Sequence, residues 1–275
     1  MTTELRLAER QDIPALCGIW KACFADSEEY INLFYSNNFE RLETYVLCVN
    51  GKPVSMVNLL PAAFAHRARS LPAKFIYAAG TLPAYRKKGY MGRLIKHVTS
   101  LAKETGYALF LKPATSSVMT YYQKFGFEKD SCLRLVNVSP TDSLPLAADE
   151  LDAAAYNRMR DAAFDGLPFV KWDDAHVSWC VEENAFFSGK TLKIKQPDKD
   201  YFLMGYPEGD TLIINETDLP LDRIRLLSGA LCRLFGARQL RVYLSDYFCD
   251  EGECLPASVI YNAPAIHTYA NLILI

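Results

Sequence analysis

The sequence predicts an α/β (α+β) chain of two halves, each a mixed central sheet flanked by helices. Three observations carry that prediction. Short apolar stretches of strand character alternate with longer ones whose apolar residues recur every three or four positions. The order helix, helix, three strands, helix, strand occurs twice at about the same spacing. Between the two runs lies a stretch dense in turn formers, Pro140-Thr-Asp-Ser-Leu-Pro145 and on to Glu150. The expected organisation is a domain over 1–140, a connector over 141–150 and a degenerate copy of the first fold over 151–275.

Taken in order, residues 4–9 alternate as a first strand. Gln11 or Asp12 opens a helix with Pro14 in its first turn, a tolerated place for proline. Ile13, Leu16, Cys17, Trp20 and Phe24 give that helix its apolar face. A second helix is expected over about 27–38, where Glu28 and Glu29 suit the positive end of the helix dipole. A strand over 43–50 turns at Asn50-Gly51, a strong hairpin signal, into a partner over 53–65. A third strand, 72–82, ends at Pro83. The next helix starts near Gly89, with Met91, Leu94, Ile95, Val98, Leu101 and Ala102 on one face and Gly106 as its stop. Residues 107–113 read as a buried strand, 116 onward as a helix, and 127–139 as the last strand of this half.

Composition excludes several classes. Half of the 275 residues are hydrophobic, ample for a buried core, and the net charge of -2 gives no reason to expect nucleic-acid binding. No run of eighteen apolar residues suggests a membrane span. The start, Met-Thr-Thr-Glu-Leu-Arg, lacks the basic-then-apolar form of a secretory signal, so a cytoplasmic location is the expectation. The eight cysteines include no CxxC pair, and Cys249 and Cys254 have no paired histidines nearby. Free thiols and no metal site are expected. His66, His97, His176 and His267 are scattered, none at ligand spacing from another.

The stretch 76–94 carries the chemistry. A strand runs to about Leu82, a basic turn Arg86-Lys87-Lys88-Gly89 follows, and a helix begins. First-turn N–H groups have no helical partner, and the dipole adds about half a positive charge there, so such an end can hold a diphosphate. Neither GxGxxG nor GxxxxGK[ST] is present. A solvated basic turn before an ordinary helix is the plainer reading of this loop taken alone. Further on, Tyr122-Gln-Lys-Phe-Gly126-Phe127 ends the next helix.

Together these stretches resemble the GCN5-related N-acetyltransferases (GNAT), over about residues 3–139. Arg86 and Gly89 match the family's Arg/Gln-x-x-Gly-x-Gly/Ala loop; Met91 departs from its last position, and Gly92 comes one residue later. Tyr122, Gly126 and Phe127 match the family's Tyr-x-x-x-Gly-Phe. The resemblance implies acetyl-coenzyme A as co-substrate. Its pantetheine would pair with backbone near Ala79, Gly80 and Thr81, and its diphosphate would take the N–H groups of Lys87, Lys88, Gly89, Tyr90, Met91 and Gly92. It implies an amine acceptor, small molecule or peptide, and Tyr122 as the acid that protonates the leaving thiolate. Packing within the core is the other reading of Tyr122, and the expected one for Tyr121. Glu28, Glu29 and Glu43 border the acceptor side in the family, though each also reads as a solvated carboxylate.

The second half repeats the order with helices at about 150–164, 173–186 and 221–235 and strands at 191–196, 201–206, 211–216, 239–245, 257–262 and 268–275. It has no Arg-x-x-Gly loop. The turn between its third strand and the next helix, Asn215 to Asp222, carries Glu216, Asp218 and Asp222, which would repel a diphosphate. Trp172, Trp179, Phe186 and Phe187 read as core or as pocket lining. The tandem order resembles the Eis-like acetyltransferases without their third domain, whose terminal carboxylate enters the active site; Ile275 could do likewise or end a buried edge strand. Two alternatives to an N-acyltransferase remain: a non-catalytic sensor of coenzyme A or an acyl ligand, and an aminoacyl-transferring relative, against which the near-neutral second half argues. Self-association is left open.

Overall fold

The computed structural model describes residues 2–141 and 144–271. The chain divides into two compact units. One is Met1–Ala63, Leu71–Glu128 and Val259–Ala265; the other is Phe64–Ser70, Lys129–Ser258 and Ile266–Ile275.

The first unit opens with β1 (Thr3–Leu7), α1 (Ile13–Cys23) and α2 (Glu28–Asn38). Pro14 lies in the first turn of α1, and Ser27 caps α2 by accepting the Tyr30 N–H. Then come β2 (Glu43–Val49), β3 (Lys52–His66) and β4 (Arg69–Thr81), with Asn50 and Gly51 at positive φ in the turn between β2 and β3. Next are α3 (Tyr90–Thr105), β5 (Ala108–Leu111) and α4 (Ser116–Gln123). Leu94, Ile95, Val98 and Ala102 of α3 are fully buried, as their spacing predicts. The strands lie side by side from β1 to β5, with β4 and β5 parallel over Ala73–Phe75 and Ala108–Phe110.

The second unit begins with β6 (Glu128–Val138), β7 (Ala148–Glu150), α5 (Ala153–Phe164), β8 (Phe169–Lys171) and α6 (Asp174–Phe186). It continues with β9 (Lys190–Lys195), β10 (Asp200–Glu208), β11 (Thr211–Thr217), α7 (Leu221–Phe235), β12 (Gln239–Ser245) and β13 (Glu253–Tyr261). Its strand order is β7-β9-β10-β11-β12-β6. As in the first unit, three antiparallel neighbours lead into one parallel pair, β11 with β12, joined by a helix. Leu221, Ile224, Leu227, Ser228 and Leu231 of α7 all face its core.

The closing strands depart from expectation. The stretch 127–139 was to complete the first half, yet β6 runs antiparallel to β12 in the second unit. The strand beside β5 is the end of β13, with Val259 opposite Leu111 and Tyr261 opposite Leu109. Periodicity predicts that a strand exists; its partner is chosen by tertiary packing. The connector also holds the short strand β7, paired with β9. Of the strand expected over 268–275, the described part forms only an isolated bridge, Tyr269 with Phe169, and residues 272–275, including Ile275, lie outside the described residues.

The expectation of free thiols also fails at one pair. Cys132 of β6 and Cys254 of β13 are disulfide-bonded, while the other six cysteines form no disulfide. Among the described residues, no cluster of His, Cys, Asp or Glu could hold a metal, and no helix is long and apolar enough to cross a membrane.

Candidate active site

The parallel pairing of β4 with β5 stops at Phe75, and β4 continues through Ile76–Thr81 beyond it. Within this extension Ala78 has φ 47, a sparsely populated conformation for a side-chain-bearing residue. It turns the backbone just before Ala79, Gly80 and Thr81, the positions expected to meet pantetheine. Gly80 lies against α1: a Cβ there would stand 3.1 Å from the Cys23 sulfur and 3.4 Å from Ile19. Ser55 of β3 fixes this end from the other side, donating to the Gly80 carbonyl and bonding the Thr81 hydroxyl at 2.7 Å.

The basic turn has the backbone of an anion cradle. Lys87 has φ 61, and Gly89, which caps α3, has φ 78. Alternation of ordinary and left-handed residues points successive N–H groups to one side. No side chain caps this helix, and its first i→i−4 bond is Arg93 N–H to the Gly89 carbonyl. Gly89 holds a conformation that costs other residues about 1–2 kcal/mol. The side chains brace the turn: Arg86 Nε donates to the Thr81 carbonyl at 3.0 Å, and the Lys88 ammonium sits 5.0 Å over the Tyr85 ring. Met91, at the departing position, and Gly92 are both half-buried. A Cβ on Gly92 would lie 3.5 Å from the Phe125 ring and 3.8 Å from the Tyr121 hydroxyl. The two motifs thus meet, the start of α3 against the end of α4.

Tyr122 is 6 % exposed, its ring against Tyr121 and Phe127. Burial, with Tyr121 adding to it, pushes its hydroxyl well above the ordinary tyrosine value, so it remains protonated at neutral pH. Tyr121, expected to be the core residue, is the half-buried one. Gly126 has φ 86, and a Cβ on it would come 3.3 Å from the Tyr261 ring, which also packs against Phe127.

Two of the three carboxylates expected on the acceptor side are engaged. Glu28 pairs with Lys21 at a hollow of about 240 Å³ between α1 and α2, and that hydrogen bond holds it below its usual range. Glu43 pairs with Lys74. Glu29 is exposed at the start of α2. A carboxylate held low is a poor base near neutral pH. His97 packs edge-on against Tyr45.

Sequence reading missed an aromatic cluster that includes Tyr77, the neighbour of Ala78. Trp20 contacts Phe24, Tyr30, Phe34, Tyr35 and Tyr77, and the hydroxyls of Tyr30 and Tyr77 lie 3.1 Å apart. The apolar faces of α1 and α2 were the available signal; Tyr77 was not distinguishable from an ordinary strand residue.

The counterpart in the second unit is filled. β11 pairs with β12 over Thr211–Ile214 and continues through Asn215–Thr217. There the Asn271 side-chain amide donates to the Asn215 carbonyl at 2.7 Å, and the Tyr269 hydroxyl donates to Glu216 at 3.0 Å. Glu216 is not in a turn, as its polar neighbours suggested. It lies in β11, fully buried, bonded by Arg160 Nε at 3.0 Å and by the Tyr156 hydroxyl at 2.9 Å. Asp218 accepts the Phe202 N–H and pairs with Lys199, and α7 starts behind Pro220, which has no N–H to offer. Trp172 and Trp179 are core residues, with Trp172 stacked on His176, whereas Phe187 is exposed.

A strand that runs on past its parallel neighbour, a residue at positive φ in it and a helix start that no side chain caps make this end of the α/β unit fit to hold an anion. Residues 4–129, a little under half of the chain, match the family model described as an acetyltransferase (GNAT) domain. No curated protein matches the chain by sequence. Among solved structures, an Enterococcus faecalis protein described as a probable N-acyltransferase is similar at TM-score 0.75 and 12% identity, with 94% of this chain and 72% of that one covered. A GCN5-related N-acetyltransferase from Anabaena variabilis follows at 0.71 and 16%, with coverage of 94% and 72%. Eis1 from Mycobacterium abscessus follows at 0.64 and 13%, with coverage of 94% and 73%. At these identities the likeness is one of fold, and it extends over both halves.

Proposed function

We propose that the chain is an N-acyltransferase that moves an acetyl group from acetyl-coenzyme A to an amine acceptor, a small molecule or a peptide, by direct attack. The observation that carries this reading is the turn at Lys87–Gly89, with φ 61 and 78 ahead of a helix that no side chain caps. The N–H groups from Lys87 to Gly92 would hold the diphosphate, and Ala79–Thr81 would take the pantetheine. An uncharged amine attacks the thioester carbonyl, the carbon–sulfur bond breaks, and Tyr122 gives its proton to the departing sulfur. Holding donor and acceptor together supplies much of the rate. With Glu28 and Glu43 tied to lysines, the amine proton leaves through water.

Coenzyme A titration by calorimetry tests the cradle. Gly89→Pro, whose ring fixes φ near −65°, should weaken binding by about tenfold or more with the fold retained by circular dichroism. Unchanged affinity would remove the cradle from the reading. Thiol release across a panel of amines separates transfer from sensing: binding without release under every acceptor would favour the sensor.

A further inference from the structure

The second unit holds a cluster that acetyl transfer does not use. Cys132 on β6 is half-buried, and Cys254 on β13 is exposed. Asp246 Oδ2 lies 3.2 Å from the Cys132 sulfur and 2.5 Å from His267 Nε2. The position of His267 is fixed: its backbone N–H and that of Thr268 donate to the Asp130 carboxylate at 2.9 Å, and its carbonyl accepts the Tyr247 hydroxyl.

The contact between Asp246 and Cys132 depends on the redox state. In the disulfide, Cys132 has no proton, and the carboxylate faces a sulfur that cannot donate. In the thiol, the same pair is an S–H···O hydrogen bond to a charged acceptor. An adjacent carboxylate also disfavours the thiolate, the form that attacks a disulfide. The hydrogen bond favours the reduced pair, while the cost of the thiolate slows attack by Cys132 unless the carboxylate takes its proton.

We propose that Cys132 and Cys254 are a reversible dithiol–disulfide site, oxidised by low-molecular-weight disulfides, with Asp246 setting its poise through a hydrogen bond made only to the Cys132 thiol. Exposed Cys254 attacks the reagent R–S–S–R as thiolate, forming Cys254–S–S–R and releasing one RS⁻. Cys132 then attacks the Cys254 sulfur as its proton passes to Asp246, and the second RS⁻ leaves. Two protein thiols are oxidised, one reagent disulfide is reduced to two thiols, and the bridge is closed. His267, paired with the same carboxylate, keeps it aimed at the sulfur.

Glutathione redox buffers applied to the full chain, with thiols counted by intact mass and the linked peptide mapped, test this. One bridge, Cys132 to Cys254, should form and reopen while the other six cysteines stay reduced. Cys254→Ala, at an exposed position, should abolish it. Asp246→Ala should shift the equilibrium about tenfold toward the disulfide, or 29.6 mV for this two-electron couple. A bridge between other cysteines, a bridge that glutathione cannot reopen, or an unshifted midpoint in Asp246→Ala would overturn the proposal.

Discussion

Glu216→Ala should cost about 3–5 kcal/mol of stability, the usual cost of removing one partner from a buried ion pair. The substitution strands the Arg160 guanidinium, itself fully buried, and removes the acceptor of two tyrosine hydroxyls. Such a charge cannot relax into water, so the urea midpoint should fall steeply. Arg160 also donates from Nη1 to the Val170 carbonyl at 2.8 Å and lies 5.4 Å from the Phe164 ring, so it is held from several sides. Replacing both partners with apolar residues, Arg160→Met with Glu216→Leu, should restore much of the loss, because no charge is then left buried. A loss of less than about 1 kcal/mol in Glu216→Ala would mean that the pair is not sealed from solvent.

Tyr122→Phe should lower turnover by about a hundredfold, the lower range for loss of a positioned general acid. Coenzyme A affinity should change little, since the cradle at Lys87–Gly89 is untouched. The ring contacts with Tyr121 and Phe127 survive the change, so stability is retained. The wild-type rate should also show no loss from tyrosine ionisation up to about pH 10, the ordinary tyrosine value. The sign follows from burial: the charged phenolate is disfavoured, so the hydroxyl keeps its proton to higher pH than a solvated tyrosine. Steady-state kinetics with thiol detection reads both effects, and unchanged turnover would withdraw the acid role.

Much of the site was legible in the sequence because it is local. A strand, Pro83, a basic turn, Gly89 and an apolar stripe follow one another in the single stretch from Ile76 to Ala102, and each leaves its mark on its neighbours. The duplicated order of elements was legible for the same reason. What escaped depends on distant partners. Glu216 sits in the polar run Asn215-Glu-Thr-Asp and resembles a turn until Arg160, 56 residues away in sequence, is seen against it. Cys132 and Cys254 are 122 residues apart. The reversal at Ala78 leaves no trace, since alanine is not the residue that such a backbone selects.

The destinations of β6 and the end of β13 bear on how this protein could be divided. A polypeptide ended at the connector would leave β5 without the neighbour that Val259–Tyr261 provides, baring a row of amides and carbonyls to any passing chain. The reciprocal fragment, begun at the connector, would lack the β6 partner of β12. Bisecting the gene between its two repeats would therefore yield two sticky, incomplete products. Co-expression of the pieces, rather than purification of either alone, is the route by which β5 and β12 could regain their partners.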